Sequence, residues 1–437
     1  MRRQRLEDDD PEEGPSPIIG PSRPRLFKVL GPGLITGASD DDPSGIATYS
    51  QAGAGFAYGL SWTMLFSYPL MVAVQMISAR IGRTTGHGIA GVLRLHYPKW
   101  LLSSVVVLLL IANIINLGAD LGAMADASTL LLPAPRALYV LLFAALCICL
   151  QLFLQYTRYV AVLKWLSAAL LAYVGVAMIV HVAWRDFLGH LFWPRFSANG
   201  GYLTTLVAIL GTTISPYLFF WQASEEVEDL HVHPRRVDLV DAPGQGPAAL
   251  RRIELDTFIG MGFSNFVALA IIVTTAATLN VHGITDIQTS AQAAAALRPL
   301  AGRFAALIFA LGIIGTGLLA VPVLAGSAAY AIGEARQWPT GLARRPKEAQ
   351  AFYATLVIAT LVGMIINFAP IDPIKALFWS AVINGVVAVP VMVVMMKLAA
   401  RRDIMGPFVV RGMLKFFGWV ATALMAAVVA AMLVLSL

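Results

Sequence analysis

Long apolar runs alternate with short polar connections along almost the whole sequence. A membrane-spanning helix needs roughly 20 apolar residues, and eleven runs are long enough to be candidates. They lie near 31–55, 60–79, 101–124, 137–155, 159–184, 203–223, 257–279, 304–333, 351–370, 374–396 and 413–437. The pattern predicts an all-α integral membrane protein with about 11 transmembrane helices. Residues 1–27 are charged and proline-rich and are expected to form a disordered tail, which leaves 28–437 as a single transmembrane domain.

Composition excludes the soluble classes of protein. Of the 437 residues, 58% are hydrophobic and 13% are charged, whereas an ordinary soluble domain has about 25% charged residues. The net charge of +6 does not indicate a nucleic-acid partner, because the basic residues lie in short loops and form no single patch. We expect the lipid bilayer as the surroundings, no cofactor, and a monomer. The sequence has no pair of a nucleophile and a base at helical spacing, so we do not expect an enzyme.

Lysine and arginine are distributed unequally between the two sides of the predicted bundle. Twenty-five of the 31 lie on the side of the N-terminus. By the positive-inside rule, the N-terminus is expected in the cytoplasm and the C-terminus outside the cell, in a multi-pass protein of the plasma membrane.

The first span contains polar residues that a lipid-facing helix does not tolerate. Asp40, Asp41 and Asp42 are consecutive and are followed by Pro43 and Gly45. One acid at the bilayer centre costs about 2.5–3.5 kcal/mol on insertion scales, and proline breaks the helical hydrogen-bond ladder. Freed carbonyl groups beside a carboxylate are ligands for a hard cation. The alternative is that the span begins later and the acids lie in a loop mouth.

The sixth span has a proline at the corresponding place. Pro216 interrupts an apolar stretch, and both Pro43 and Pro216 lie in the first span of a block of five. Blocks of five enter the membrane from opposite sides, so the sequence predicts an inverted repeat with discontinuous helices 1 and 6 that build the substrate site. Repeat one is placed at about 28–190, repeat two at about 200–397 and an extra helix at about 411–437.

The run GPGLITGASDDDPSGIATYSQAGAGFAYGLSW carries a family resemblance. It resembles the first-helix signature of the NRAMP divalent-metal transporters, an Asp-Pro-Gly-Asn motif followed by Ala-Thr and Gln-Ala-Gly-Ala. The sixth-helix Met-Pro-His signature is replaced by Ser215-Pro216-Tyr217. These departures are similar to those of the NRAMP-related magnesium transporters, a side branch of the family. The resemblance implies a LeuT-type architecture of five plus five helices with an additional terminal helix.

The resemblance also implies a ligand set for the transported ion. The family's Asp, Asn, sixth-helix carbonyl and Met sulfur fall on Asp42, Gly45, Thr212 and Ser215, and Asp41 is expected to add attraction for the ion. The thioether is the soft ligand that favours manganese or iron over magnesium, so a hydroxyl at Ser215 removes that preference. Gly45 in place of Asn is expected to leave room for the waters that magnesium usually keeps.

Proton-coupling residues of the family are largely missing. The second acid of its third-helix pair is replaced by Ala123, and its two sixth-helix histidines fall on Tyr217 and Gln222. Asp120, the remaining acid, is either a proton relay or a hydrogen-bonded packing residue.

Four acids end the sixth span, at Glu225, Glu226, Glu228 and Asp229. They are either a solvated helix end or an acidic vestibule that attracts cations.

The sequence thus predicts a carrier that takes up Mg²⁺ through a partly hydrated oxygen-ligand site by alternating access, without proton coupling. One alternative is a proton-coupled manganese (Mn²⁺) transporter of the NRAMP type. The other is a LeuT-fold transporter of an organic amine, which the buried acids would neutralise.

Overall fold

The computed structural model describes residues 36–37, 39–153, 168–197, 199–233 and 235–436, which are helical with no strand. The predicted tail, 1–27, and the start of the first span lie outside the described residues. The α-helices are α1 Pro43–Phe56, α2 Trp62–Thr85, α3 Ile89–His96, α4 Lys99–Thr129, α5 Arg136–Phe153, α6 Leu171–Ile179, α7 Trp184–Phe192, α8 Gly200–Thr213, α9 Pro216–Val232, α10 Gly246–Thr278, α11 Ser290–Ala295, α12 Arg298–Ala301, α13 Ala305–Arg336, α14 Gln350–Ile366, α15 Pro373–Ala399, α16 Arg402–Met405 and α17 Gly412–Ser436.

The all-α membrane class is confirmed. Within the described ranges, eight helical stretches are long and apolar enough to cross a membrane. The stretch Ala168–Ile179 adds a ninth only if it is counted together with α7, and α14 is a shorter apolar helix of 17 residues. The total of eleven spans stays a prediction, because parts of the first and fifth predicted spans lie outside the described residues.

The fifth predicted span, 159–184, is wrong at its C-terminal end. Helix α6 ends at Ile179, and the chain bends by 119° before it continues as α7. Val182 and Phe187 are buried against Val273 of α10, so burial of these two side chains turns the chain back onto the bundle. A hydropathy window does not detect this bend, because the apolar character continues through it.

Close contact between helix backbones brings the sixth span to the centre of the bundle. A Cβ atom on Gly211 would lie 2.1 Å from the carbonyl oxygen of Ala381 in α15, so only glycine allows α8 to approach so closely. Asn113 of α4 also donates a hydrogen bond of 2.9 Å to the carbonyl of Leu324 in α13. The C-terminal end of α8 also lies beside the N-terminal end of α1, where a Cβ atom on Gly45 would be 3.1 Å from Thr212 Oγ1.

Candidate cation-binding site

The backbone of the first span leaves helical conformation at its acids. The chain is helical at Asp40, bends at Asp41, is extended at Asp42 and becomes helical again at Pro43. Asp42 caps α1: its Oδ1 accepts a hydrogen bond of 2.8 Å from the Gly45 backbone N–H and one of 2.6 Å from the Ser44 hydroxyl. The DPSG sequence therefore ends one helical segment and begins another inside the bundle.

The second oxygen of Asp42 binds two other helices. Oδ2 accepts hydrogen bonds from Asn116 Nδ2 of α4 at 2.9 Å and from the Tyr217 hydroxyl of α9 at 3.3 Å. Asn116 Oδ1 in turn accepts a hydrogen bond of 2.7 Å from Ser380 of α15. The Asp42 side chain, which is 1% exposed, thus lies where α1, α4, α9 and α15 meet.

The break in the sixth span lies beside this centre. Helix α8 ends at Thr213 and α9 begins at Pro216. The Ser215 hydroxyl lies within hydrogen-bond distance of the carbonyl oxygens of Gly211, at 2.6 Å, and Thr212, at 2.9 Å, and its single proton bonds one of them at a time. A carbonyl oxygen has two lone pairs, so the Thr212 carbonyl keeps one for a further partner. Ser215 therefore lies within hydrogen-bond distance of the carbonyl oxygen that the resemblance assigns as a ligand.

The expected space at Gly45 is filled in this structure. A Cβ atom there would lie 3.1 Å from Thr212 Oγ1, 3.2 Å from the Asp40 carbonyl oxygen and 3.3 Å from Tyr49 Cε2. The prediction of extra room at this position is wrong for this conformation, because Thr212 and Tyr49 pack against the glycine. The same contacts show that the predicted ligand positions of α1 and α8 are adjacent.

Asp40 and Asp41 contact a different helix. Ser264 Oγ of α10 lies 2.6 Å from Asp40 Oδ2 and 3.1 Å from Asp41 Oδ1. A hydroxyl has a single proton, so it satisfies only one of these oxygens at a time. The Asp41 carboxylate is therefore held toward α10, whereas Asp42 is held toward α4 and α9. All three acids are buried, and no ion pair joins them to a lysine or arginine in the described part of the chain.

Asp120 lies one helical turn beyond Asn116 on α4. It is fully buried, and neither of its carboxylate oxygens has a hydrogen-bond partner among the described residues. The described residues provide no hydrogen bond for the packing interpretation of Asp120, and both interpretations stay predictions. The asparagines at 113 and 116 do form such bridges, to α13 and to Asp42.

Tyr217 and Gln222 connect α9 to the segment before the first break. The Tyr217 hydroxyl lies 3.1 Å from the Ser39 carbonyl oxygen, and Gln222 Oε1 accepts a hydrogen bond of 2.5 Å from Thr36. The two positions where the family has histidine thus hold the two halves of the site together. As a neutral amide, Gln222 carries no titratable proton.

The acidic end of the sixth span is buried, so the prediction of a solvated helix end is wrong. Glu226 forms an ion pair of 2.5 Å with Arg252 of α10, and Asp229 pairs with Arg236. Arginine side chains neutralise these carboxylates, which lowers the cost of burying them. An open acidic vestibule is also absent here in the described structure.

Glu225 and Glu228 have unequal surroundings. Glu228 accepts hydrogen bonds from the Tyr330 hydroxyl at 2.9 Å and from the Ala343 backbone N–H at 2.8 Å. Glu225 is fully buried, and neither of its carboxylate oxygens has a partner in the ranges described.

Sequence reasoning missed several residues that hold the acids. The sequence did not predict Ser44, Ser264, Ser380 or Asn116 as site residues. The spacing of Asn116 and Asp120 on one helical face was the available signal. Nothing local in the sequence links these positions to Asp42, since the contact depends on how α4 packs against α1.

Comparison with known proteins agrees with this architecture. The family model described as "Nramp: Natural resistance-associated macrophage protein-like" matches residues 33–435. The chain belongs to the Nramp family. Among curated Nramp relatives, the divalent metal cation transporter MntH of Deinococcus radiodurans is 28% identical over 419 residues, which cover 92% of this chain and 88% of the relative. MntH of Pectobacterium carotovorum is 26% identical over 402 residues, covering 89% of each chain.

Solved structures show the same fold. The Eremococcus coleocola manganese transporter in complex with an aromatic bis-isothiourea compound aligns with a TM-score of 0.72 at 18% identity, covering 95% of this chain and 90% of that one. MhsT in complex with L-phenylalanine aligns with a TM-score of 0.57 at 13% identity, covering 92% and 98%. The predicted LeuT-type architecture is confirmed at the level of the fold.

Asn116 and Asn113 provide a test of the charge on Asp42. Both are buried on α4, but Asn116 donates to a carboxylate and Asn113 to a carbonyl and a hydroxyl. A hydrogen bond to a charged group contributes about 1.5–3 kcal/mol and a neutral one about 0.5–1.5 kcal/mol. Asn116→Ala should therefore lower the free energy of unfolding, measured by SDS titration of the purified protein, by more than Asn113→Ala does. Equal losses would show that Asp42 is neutral in the folded protein.

Proposed function

We propose that this protein transports a hard divalent cation, with magnesium as the physiological substrate, by alternating access and without proton coupling. The ion would bind Asp42 beside the Thr212 carbonyl and keep part of its water shell. The proposal includes the orientation expected from the charge distribution, with the N-terminus in the cytoplasm, and action as a monomer.

The observation that carries the proposal is the oxygen character of the groups around Asp42. The side chain at Ser215 and the hydroxyl of Tyr217 are oxygen donors where the family resemblance implies a sulfur and an imidazole. Hard cations prefer carboxylate, carbonyl and water oxygens, whereas soft ligands select transition metals. Without a sulfur at position 215, the site lacks the soft ligand that would favour manganese over magnesium.

Loading of a hydrated ion requires movement at this centre. Thr212 and Tyr49 already contact Gly45, so an ion that keeps several waters needs α1 and α8 to separate. This requirement supports alternating access, in which the helices around a broken span shift relative to each other.

A cavity of about 520 Å³ supports a route to the site from the side expected to face outward. It lies between α1, α8 and α15 and is lined by Gln51, Asp286 and Lys375, and it extends to Ala47 of α1, five residues beyond Asp42. The lining is mostly apolar, and Gln51, Asp286 and Lys375 supply its polar groups for a hydrated ion.

The relatives support a metal carrier over the other classes considered. The curated relatives compared above are named divalent metal cation transporters. Their names support neither an organic-amine carrier nor an enzyme. A manganese transporter is the second candidate, since the Eremococcus coleocola protein carries that name. The retained and unpartnered Asp120 favours the proton-coupled version of that candidate.

Magnesium uptake should depend on Asp42. In proteoliposomes preloaded with magnesium, counter-flow of tracer magnesium should be inhibited by external magnesium more strongly than by manganese or calcium. Asp42→Ala should reduce this uptake to below about a tenth of the parent rate, because the carboxylate proposed to coordinate the ion is lost, whereas Asp40 and Asp41 are held toward α10. Manganese as the stronger competitor would support the second candidate, and full uptake by the variant would place the site elsewhere.

Cation uptake should leave the internal pH unchanged. Both sixth-helix histidine positions carry side chains without a proton that titrates near neutral pH, so a chain of titratable groups is missing there. A pH-sensitive dye inside the vesicles should show no acidification that depends on added magnesium, while a proton ionophore provides the positive control. Acidification that requires magnesium would contradict uncoupled transport and would assign Asp120 as the relay.

A sulfur at position 215 should shift selectivity. Ser215→Met restores a soft ligand, and Ser215→Leu provides a side chain of similar size without sulfur. A thioether contact of about 1.4 kcal/mol would raise manganese binding relative to magnesium about tenfold. Isothermal titration of purified protein should show this shift for Ser215→Met alone. The same shift in Ser215→Leu would mean that side-chain size, and not sulfur, controls the site.

A further inference from the structure

A second cavity lies far along the bundle from Asp42, at the end expected to face the cytoplasm. It has a volume of about 270 Å³ and is lined by four arginines, Arg83, Arg235, Arg236 and Arg252, together with Gln245 and the first turn of α10. No carboxylate is among its described lining residues. A concave surface of this composition is suited to an anion.

Arg83 is a buried residue in the wall of this cavity. It is only 2% exposed, and one of its nitrogens, Nη2, donates a hydrogen bond of 2.9 Å to Gln245 Oε1. Its Nε and Nη1 have no hydrogen-bond partner in the described structure, and the same is true of Nη1 of Arg252. A buried guanidinium with free donors is costly unless a partner satisfies them. Arginine presents such donors in a planar fork that matches a phosphate group.

The N-terminus of α10 contributes to the same cavity. Its first turn contains Ala248 and Ala249, which line the cavity, and no acidic residue. Gln245, at the N-cap position, makes no capping hydrogen bond with its side chain. The Gly246 N–H is bonded to the Pro243 carbonyl and Pro247 has no N–H, so this terminus contributes through its helix dipole, which attracts negative charge as the arginines do.

The walls of the cavity are fixed relative to one another. The loop after α9 is hydrogen-bonded to the end of α2 through Leu239 N to Arg83 O, at 3.3 Å, and Val240 N to Thr84 O, at 3.2 Å. Gln245 Nε2 also donates to the Arg235 carbonyl at 2.9 Å. The cavity is therefore part of the folded bundle and does not depend on an unsupported surface loop.

The cavity is connected to the sixth span through shared ion pairs. Arg252 and Arg236, which line it, also hold Glu226 and Asp229 of α9. An anion in the cavity would hold these arginines and the loop in place, and with them the inner end of α9.

We propose that this cavity binds a phosphate group at the cytoplasmic end of the transporter and thereby stabilises the conformation in which the inner end of α9 is held. The phosphate is either a free phosphate in solution or the headgroup of an anionic lipid. This inference does not depend on which cation is transported, nor on transport being uncoupled from protons.

The test uses the full chain in phosphatidylcholine nanodiscs and measures the unfolding temperature. Sodium phosphate is titrated against sodium chloride at matched ionic strength, and a parallel preparation contains phosphatidylglycerol. Stabilisation by dissolved phosphate in phosphatidylcholine identifies the soluble ligand, and stabilisation only by phosphatidylglycerol identifies the lipid. No stabilisation in either preparation would overturn the proposal.

Ala248 provides the matched variants, because it is exposed and near the helix N-terminus. Ala248→Glu places a carboxylate in the cavity. It should lower the apparent affinity for phosphate or phosphatidylglycerol, read from the rise in unfolding temperature, about tenfold, as loss of a charge-assisted contact does. Ala248→Gln, of equal size and no charge, should keep the response, and so should Arg251→Gln, which removes an exposed arginine outside the cavity lining. Arg83→Gln should abolish the response. If that variant does not fold, the Ala248 pair decides, and a parental response in Ala248→Glu would overturn the proposal.

Discussion

The Asp42 carboxylate, buried where four helices meet, is the constraint on which the central structure depends. A charge in the middle of a membrane protein is tolerated only when other groups replace the hydration that it loses. Here the replacement comes from two donors of its own helix, Ser44 and the Gly45 backbone, and from Asn116 and Tyr217 of two others. The carboxylate is therefore satisfied only while α1, α4 and α9 keep their relative positions. Any displacement of α4 or α9 away from α1 removes hydrogen-bond donors from the Asp42 carboxylate. In the proposed function, a bound cation takes the place of these donors.

Polar contacts hold both ends of α9. At its start, Tyr217 contacts Asp42 and Ser39, and at its far end, Glu226 and Asp229 are paired with arginines. A helix held at both ends transmits a displacement from one end to the other if it moves as a rigid body. The energy of the ion pairs near the membrane surface is thereby linked to the hydrogen bonds around the buried carboxylate.

Much of this organisation is readable from the sequence, and the failures have physical causes. Span positions and the break at Asp42 follow from local composition, since apolar length, acids and proline act within a few residues. The bend after Ile179 and the burial of Glu226 depend on contacts with α10, more than 20 residues away in the chain. The filled space beside Gly45 also depends on a neighbouring helix. The first motif predicts where a carboxylate lies, whereas its hydrogen-bond partners, above all Asn116, follow only from packing.

The hydrogen bonds around Asp42 also bear on which ion can replace them. A dehydrated ion at this carboxylate offers no hydrogen-bond donor, so it must be coordinated by lone pairs from nearby protein atoms. The Thr212 carbonyl is the oxygen proposed to provide one, and the Ser215 side chain, whose hydroxyl lies 2.9 Å from that oxygen, offers no sulfur. A magnesium ion that keeps its waters presents O–H donors, and these can replace Asn116 and Tyr217 on the carboxylate as the helices separate. The free energy of the exchange is then small, because donors replace donors. In the function proposed above, such a site selects for the strength with which an ion holds its waters, a property in which magnesium exceeds the softer divalent metals.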